Sequence, residues 1–297
     1  MIYQHPLAYL IGLEGLALLR GWAGEFDEEF VTARLAEVRR LVNDPAWADH
    51  PGVRVRRGDP VTGYRQWAPQ YDEGRNTLFD SDEPVMHEIL DALPPGTALD
   101  AGCGTGRYAA HLAAHGHRVL GVDSSPDMLG RARSRVPDGE FLIGDLDRLP
   151  VPDDAVDVVV SGLAVSHLPD LGPVMAELAR VVRPGGHVVV SDAHHEQIFR
   201  GSVVKAVGPA GEPGLVATYR HTPGDFLRAA LAAGLEVRRC EEPRPTADDR
   251  PVTDRPQNTP GTWETWPWSL TEAVPEAARA AWWTPSTIVW HFQRAGS

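Results

Sequence analysis

The stretch Leu99-Asp100-Ala101-Gly102-Cys103-Gly104-Thr105-Gly106 decides how this chain is read. It follows a run of strand-forming residues and opens a helical run, the context that a ligand-cradling glycine loop requires. Its glycines let the backbone turn sharply and let a ligand approach with no Cβ in the way. Amide groups at the start of the next helix then face that ligand. A dinucleotide loop needs a further glycine at position 107, where Arg107 stands, so that pattern fails.

Outward from the loop, β-like and helical runs alternate. Strands are expected at residues 97–101, 118–123, 140–145, 156–162 and 186–192, with helices near 107–115, 126–136 and 171–182. The runs Val156-Asp157-Val158-Val159-Val160 and Val188-Val189-Val190 suit strands buried on both faces. The expected fold class is therefore α/β, a parallel sheet with helices on both sides. A helix at 223–233 stops before Gly234, a strand follows at 235–241, and a final strand is expected at 286–294. Before the loop, residues 7–42 read as helical. Val31, Leu35, Val38 and Val42 form one apolar stripe, and another helix is expected at 83–93. Four segments result: 1–75, an N-terminal helical extension or lid; 76–242, the core; 243–285, a Pro/Trp-rich cap or loop; and 286–297, the last strand.

Acidic residues stand at the ends of these strands. Asp100 can accept a hydrogen bond from a cationic amino group. Asp123, ending the second strand, can take both hydroxyls of a ribose. Asp145, in Gly144-Asp145-Leu146, can accept from an adenine amine with Leu146 against the ring. Arg183-Pro184-Gly185-Gly186 forms a tight turn into the fifth strand.

This set, in this order, resembles the class I S-adenosylmethionine-dependent methyltransferases, and within them the small-molecule branch of the ubiquinone/menaquinone type. The resemblance covers about residues 64–193 and includes Ser166-His167-Leu168-Pro169-Asp170. It implies a Rossmann-like sheet of seven strands, order 3-2-1-4-5-7-6, mostly parallel with strand 7 antiparallel. It also implies S-adenosylmethionine as cofactor. Gly102, Gly104 and Asp100 would hold the methionine end, Asp123 the ribose, and Asp145 and Leu146 the adenine. Ser161 would lie near the sulfonium, with Cys103, Ser124 and Met128 in the same site. Tyr64-Arg65-Gln66-Trp67-Ala68-Pro69-Gln70-Tyr71-Asp72 resembles the start of many such enzymes. There Tyr64 and Tyr71 would close over the cofactor, with Arg75 near its carboxylate.

The expected reaction is in-line methyl transfer to an O, N, C or S nucleophile of a small molecule, a secondary metabolite among the acceptor classes. Two alternatives stay open: a cyclase or lyase that uses the same cofactor, and a non-catalytic binding subunit. A hydroxyl acceptor would need a base, for which His167, His194 and His195 are the candidates at the strand ends. The adjacent His194-His195 pair lacks helical ligand spacing, so no metal is expected. Trp263, Trp266 and Trp268 read as walls of an aromatic substrate pocket, and Trp282, Trp283 and Trp290 as packing against the sheet.

Composition narrows the partners. The 297 residues carry a net charge of −13, which opposes binding to nucleic acid or to an anionic membrane. Two cysteines, Cys103 and Cys240, build no disulfide framework, and a reducing cytoplasm is expected. The apolar stretch from Leu7 to Leu19 is too short to span a bilayer and contains Glu14. A small-molecule acceptor is the expected partner, and a homodimer stays open.

Overall fold

The computed structural model describes residues 1–58, 63, 77–208, 211–244, 258–281 and 284–296. Tyr64, Tyr71, Arg75, Trp282 and Trp283 lie outside the described residues. The chain condenses into two units. The first comprises Met1–Arg57, Val207–Leu215 and Pro245–Thr284; the second comprises Gly58–Ala206, Val216–Arg244 and Pro285–Ser297.

In the first unit, β1 (Ile2–Gln4) leads into α1 (Pro6–Trp22), α2 (Glu28–Asn43), α3 (Pro45–Ala48) and β2 (Val53–Gly58). The single helix expected over 7–42 is two helices, because Asp27 restarts it: its carboxylate accepts from the Phe30 amide at 2.9 Å. Helix α2 also turns differently from the expected stripe. Leu35 and Val42 are exposed, whereas Arg34 and Leu41 are buried. Arg34 is drawn inward by Glu14 of α1, which is fully buried and 3.2 Å from its guanidinium. Burial pushes the Glu14 carboxyl up to about 7, against the opposing pull of Arg34.

The second unit is built on a seven-stranded sheet. Its elements in chain order are α4 (Thr77–Asp91), β3 (Thr97–Ala101), α5 (Arg107–Ala114), β4 (Arg118–Asp123), α6 (Pro126–Arg135), β5 (Glu140–Ile143) and β6 (Val156–Gly162). There follow α7 (Leu171–Val181), β7 (Val182–Ala193), α8 (His195–Phe199), β8 (Lys205–Val207, its last residue in the first unit), β9 (Pro213–Val216, in the first unit except for Val216), α9 (Pro223–Ala232) and β10 (Leu235–Glu241). Then come α10 (Trp268–Ala273) and α11 (Pro275–Ala281), both in the first unit, and finally β11 (Thr287–Arg294). The sheet order is β10-β11-β7-β6-β3-β4-β5. Strands β3 to β7 pair in parallel, and β11 runs antiparallel to both β7 and β10. Numbered from β3, this is the expected order 3-2-1-4-5-7-6. Four short strands, β1, β2, β9 and β8, form a second small sheet that the sequence reading did not anticipate.

Alternation along the strands sorts the core into two faces. Val159, Val188 and Val190 pack with α7, α9 and Trp290 on one face. Val158, Val160 and Val189 pack with α4, α5 and α6 on the other. Trp290 stacks on Phe292 with ring centroids 5.3 Å apart, as sheet packing requires. Trp263 and Trp266 are buried in the first unit, their indole N–H groups donating to Gln4 and to the Pro260 carbonyl, while Trp268 is half exposed.

A buried carboxylate ties the second face together. Asp82 of α4 is fully buried and accepts from both guanidinium nitrogens of Arg107 at 3.1 Å. It also accepts from the Tyr108 hydroxyl at 2.7 Å and the Ser191 hydroxyl at 2.6 Å. These ties hold the turn before Pro84 helical, so the helix expected from residue 83 is already formed at Thr77. Breaking a buried pair by removing one partner leaves the other charge uncompensated. Asp82→Ala is therefore expected to destabilise the protein by about 3 kcal/mol, with Asp82→Asn costing less because it keeps an acceptor. Urea denaturation of the two variants beside the parent protein measures both.

Candidate active site

The parallel strands end together at one edge of the sheet, and in open α/β sheets this edge carries the site. The glycine loop leaves β3 there and is clipped to the neighbouring strand. The amides of Gly102 and Cys103 both donate to the Val122 carbonyl, at 2.8 and 3.0 Å. Gly102 has φ +74°, and a Cβ on it would stand 2.8 Å from the Ala164 Cβ and in contact with Leu146. Gly104 has φ +52°, and nothing lies within 4 Å of where its Cβ would be. The loop thus closes on Ala164 and Leu146 at one glycine and faces open space at the next.

Two carboxylates hold the loop from either side. Asp100, buried at the end of β3, accepts from the Ala109 amide at 2.8 Å and so anchors the first turn of α5. Burial pushes its carboxyl up to about 7, opposed by that amide and by Arg107. Asp123, at the end of β4, accepts from the Gly104 amide through Oδ2 and from the Ser125 amide through Oδ1, both at 2.8 Å. Burial raises its carboxyl as well, and the amides of Ser125, Gly104 and Ser124 oppose the rise. Each carboxylate oxygen has more than one lone pair, so these bonds leave acceptor capacity for a ligand.

The remaining expected cofactor residues are placed around these two. Ser125 caps α6 by accepting from the Met128 amide at 3.3 Å; Met128 is buried and Ser124 half-buried. Cys103 is buried, its sulfur 3.1 Å from where a Gly121 Cβ would stand, and burial raises its thiol far above the ordinary value. That is the environment of a packed, unreactive cysteine. Asp145 is exposed in a bridge with Arg148, beside the half-buried Leu146. Ser161, fully buried at the end of β6, has a hydroxyl with no hydrogen-bond partner among the described residues.

The three candidate histidines differ in how they are held. His167 donates from Nδ1 to the Ala217 carbonyl at 2.9 Å, and burial lowers its pKa, so the ring is neutral at pH 7. His194 has both ring nitrogens engaged: Nδ1 caps α8 by accepting from the Glu196 amide, and Nε2 donates to Glu242 at 2.9 Å. His195 has a buried Nδ1 without a partner, and its pKa is lowered by burial first and by His194 next.

One residue of this edge was missed by sequence reasoning. Asp192, next to last in β7, is buried and lies on the same face as Ser161, since Val159 and Val190 share that face. Its Oδ1 accepts from the Ala193 amide at 2.7 Å, while its Oδ2 has no partner among the described residues. Burial pushes this carboxyl up to about 7, with the neighbouring Ser166 and the Ala193 amide opposing the rise. The available signal was an acid ending a strand, the same signal that singled out Asp123.

A protein-family model described as a methyltransferase domain matches residues 99–190. A malonyl-[acyl-carrier protein] O-methyltransferase of Yersinia pestis is 43% identical over 141 residues, which is 48% of this chain and 52% of that protein. A 2-methyl-6-phytyl-1,4-hydroquinone methyltransferase of Synechocystis is 44% identical over 108 residues, 35% of this chain and 34% of its own length. The chain thus spans about half or less of the length of these relatives. Among solved structures, an S-adenosylmethionine-dependent methyltransferase from Mesorhizobium loti superposes with a TM-score of 0.51 at 24% identity, covering 71% of this chain and 96% of that one. It shares the fold. Residues 99–190 belong to the methyltransferase domain family, and the seven-stranded sheet that contains them is that of the class I S-adenosylmethionine-dependent methyltransferases.

Proposed function

We propose that the chain transfers a methyl group to an O, N, C or S nucleophile of a small molecule by in-line displacement. The observation that carries this reading is the glycine loop clipped to β4, open at Gly104 and flanked by the buried Asp100 and the half-buried Asp123. S-adenosylmethionine supplies an electrophilic methyl group on a sulfonium when bound. The residues present fit that group. Asp100 is a buried carboxyl with no ion pair among the described residues, suited to a ligand ammonium. Asp123 has lone pairs for paired hydroxyls, and Asp145 with Leu146 offers an acceptor beside an apolar wall. The unpartnered Ser161 hydroxyl supplies a further polar contact. Tyr64, Tyr71 and Arg75 belong to the same reading.

The proton acceptor we assign for a hydroxyl acceptor is Asp192. It lies at the carboxyl edge of the sheet, its Oδ2 is unpartnered, and its pKa near 7 matches the working range of a general base. His195, three positions on, and His167, after β6, are neutral at pH 7 and supply further polar groups at the strand ends. Holding the acceptor in line with the methyl group supplies most of the rate, because alignment alone reaches effective molarities of about 10⁵ M or more. Residence in the cytoplasm and an acceptor from secondary metabolism complete the proposal. No helix among the described residues is long and apolar enough to cross a membrane.

Incubating the protein and a cell extract with isotopically labelled S-adenosylmethionine, and identifying the labelled product by mass spectrometry, tests the reaction itself. Release of methylthioadenosine in place of S-adenosylhomocysteine would overturn it. Asp123→Ala is expected to weaken S-adenosylhomocysteine binding about 30-fold, the loss of one charge-assisted hydrogen-bond set. Asp127→Ala, in the following helix, should change it less than twofold, and calorimetry compares the two. Asp192 must be ionised to accept a proton, so kcat/KM should rise with pH through about 7. Asp192→Asn should remove that limb and cut turnover roughly 10²-fold or more, with cofactor affinity unchanged. A variant that keeps the limb would return the role to a histidine.

A further inference from the structure

At the opposite, amino edge of the sheet, two helices finish side by side. Helix α4 ends at Asp91, and α5 ends with His115 as its C-terminal cap. His111 and His115 lie one helical turn apart and share a face. The His111 Nε2 is 2.7 Å from Asp91 Oδ1, and the His115 Nε2 is 3.4 Å from the same oxygen. One donor atom from each of the three residues falls within 4.8 Å of the others.

Three observations point to a cation here. First, His115 Nδ1 lies 2.8 Å from the His111 carbonyl, which can only accept, so Nδ1 carries the proton. In the neutral ring, Nε2 then turns a lone pair toward the Asp91 carboxylate. Two acceptors at 3.4 Å repel unless positive charge lies between them. Second, a carboxylate at a helix C-terminus opposes the helix dipole, and α4 has no basic residue in its last turn. Two such negative helix ends meet at this point. Third, the His111 ring is held in place by His87, stacked on it with centroids 3.7 Å apart and planes 3° apart.

We propose that Asp91, His111 and His115 bind one divalent transition-metal ion of the zinc type. Two imidazoles and a carboxylate are the donor set such ions prefer. A tetrahedral centre with bonds of about 2.1 Å separates its donors by about 3.4 Å, the distance found between His115 and Asp91. The hydrogen bond from the His115 Nδ1–H to a backbone carbonyl is the outer contact that orients a ligating histidine. Water fills the remaining position. On binding, the ion displaces the proton shared by His111 and Asp91, which passes to solvent. Helix α5 runs away from the glycine loop, so the ion braces α4 against α5 at the far edge and takes no part in the chemistry.

The test is a calorimetric titration of the chelator-treated full chain with zinc chloride. One ion per chain is expected. At about 100 times Kd the ion should raise Tm by roughly 5 °C. Asp91→Asn should weaken binding at least tenfold. The His111→Ala/His115→Ala pair should abolish both binding and the Tm shift, with circular dichroism confirming the fold. His291→Ala removes a partner from the separate His187–His291 contact and should change nothing. Cobalt substituted for zinc should give the visible absorption of a four-coordinate centre in the parent protein alone. Absence of zinc binding, or binding that survives in Asp91→Asn and in the double variant, overturns the proposal.

Discussion

The turn after β3 is the constraint on which the rest of the second unit depends. Two consecutive amides, those of Gly102 and Cys103, converge on one carbonyl of the neighbouring strand, and the next glycine amide goes to the carboxylate that ends that strand. No residue with a Cβ could stand at Gly102 without displacing Ala164. The loop therefore sets the spacing between β3 and β4, the direction in which α5 leaves, and the position of the segment after β6. Asp82, by gripping Arg107 and Tyr108 at the head of α5 and Ser191 at the end of β7, carries that placement across to the far strands.

Most of the sheet was legible in the sequence because its signals are local. Val156–Gly162 reads as a buried strand from its own residues, and the glycine loop reads from eight consecutive positions. The site residues that share a strand end with such a signal, Asp100 and Asp123, could be named from their places in line. What stayed hidden depends on partners distant in the chain. Arg34 on a helix face gives no hint of a buried Glu14 waiting for it, and Asp82 is unremarkable until Tyr108 and Ser191 fold against it. The strands Ile2–Gln4 and Lys205–Val207 are too short to show a period. Asp192 ends a strand just as Asp123 does, but no glycine loop beside it marked the position.

Asp100, Asp123 and Asp192 share one electrostatic predicament. All three sit at the carboxyl edge, and in all three burial outweighs the hydrogen bonds that favour the ionised form. Asp100 and Asp192, pushed up to about 7, are half-ionised at neutral pH, Asp123 is shifted in the same direction, and any ligand that brings positive charge or hydroxyl donors relieves them. The edge is thus tuned to reward occupation by a polar, partly cationic ligand, while its floor of valines contributes stability regardless of what is bound.

Strand β11 lies between β7 and β10 in the sheet although it follows both in the chain. During synthesis, β7 must wait more than ninety positions for the neighbour that covers its outer edge. Until Thr287–Arg294 emerges from the ribosome, a run of valines on β7 presents unpaired amides and carbonyls to any passing strand. Of the seven strands, the one made last seals the sheet, so the nascent chain stays aggregation-prone until that strand emerges.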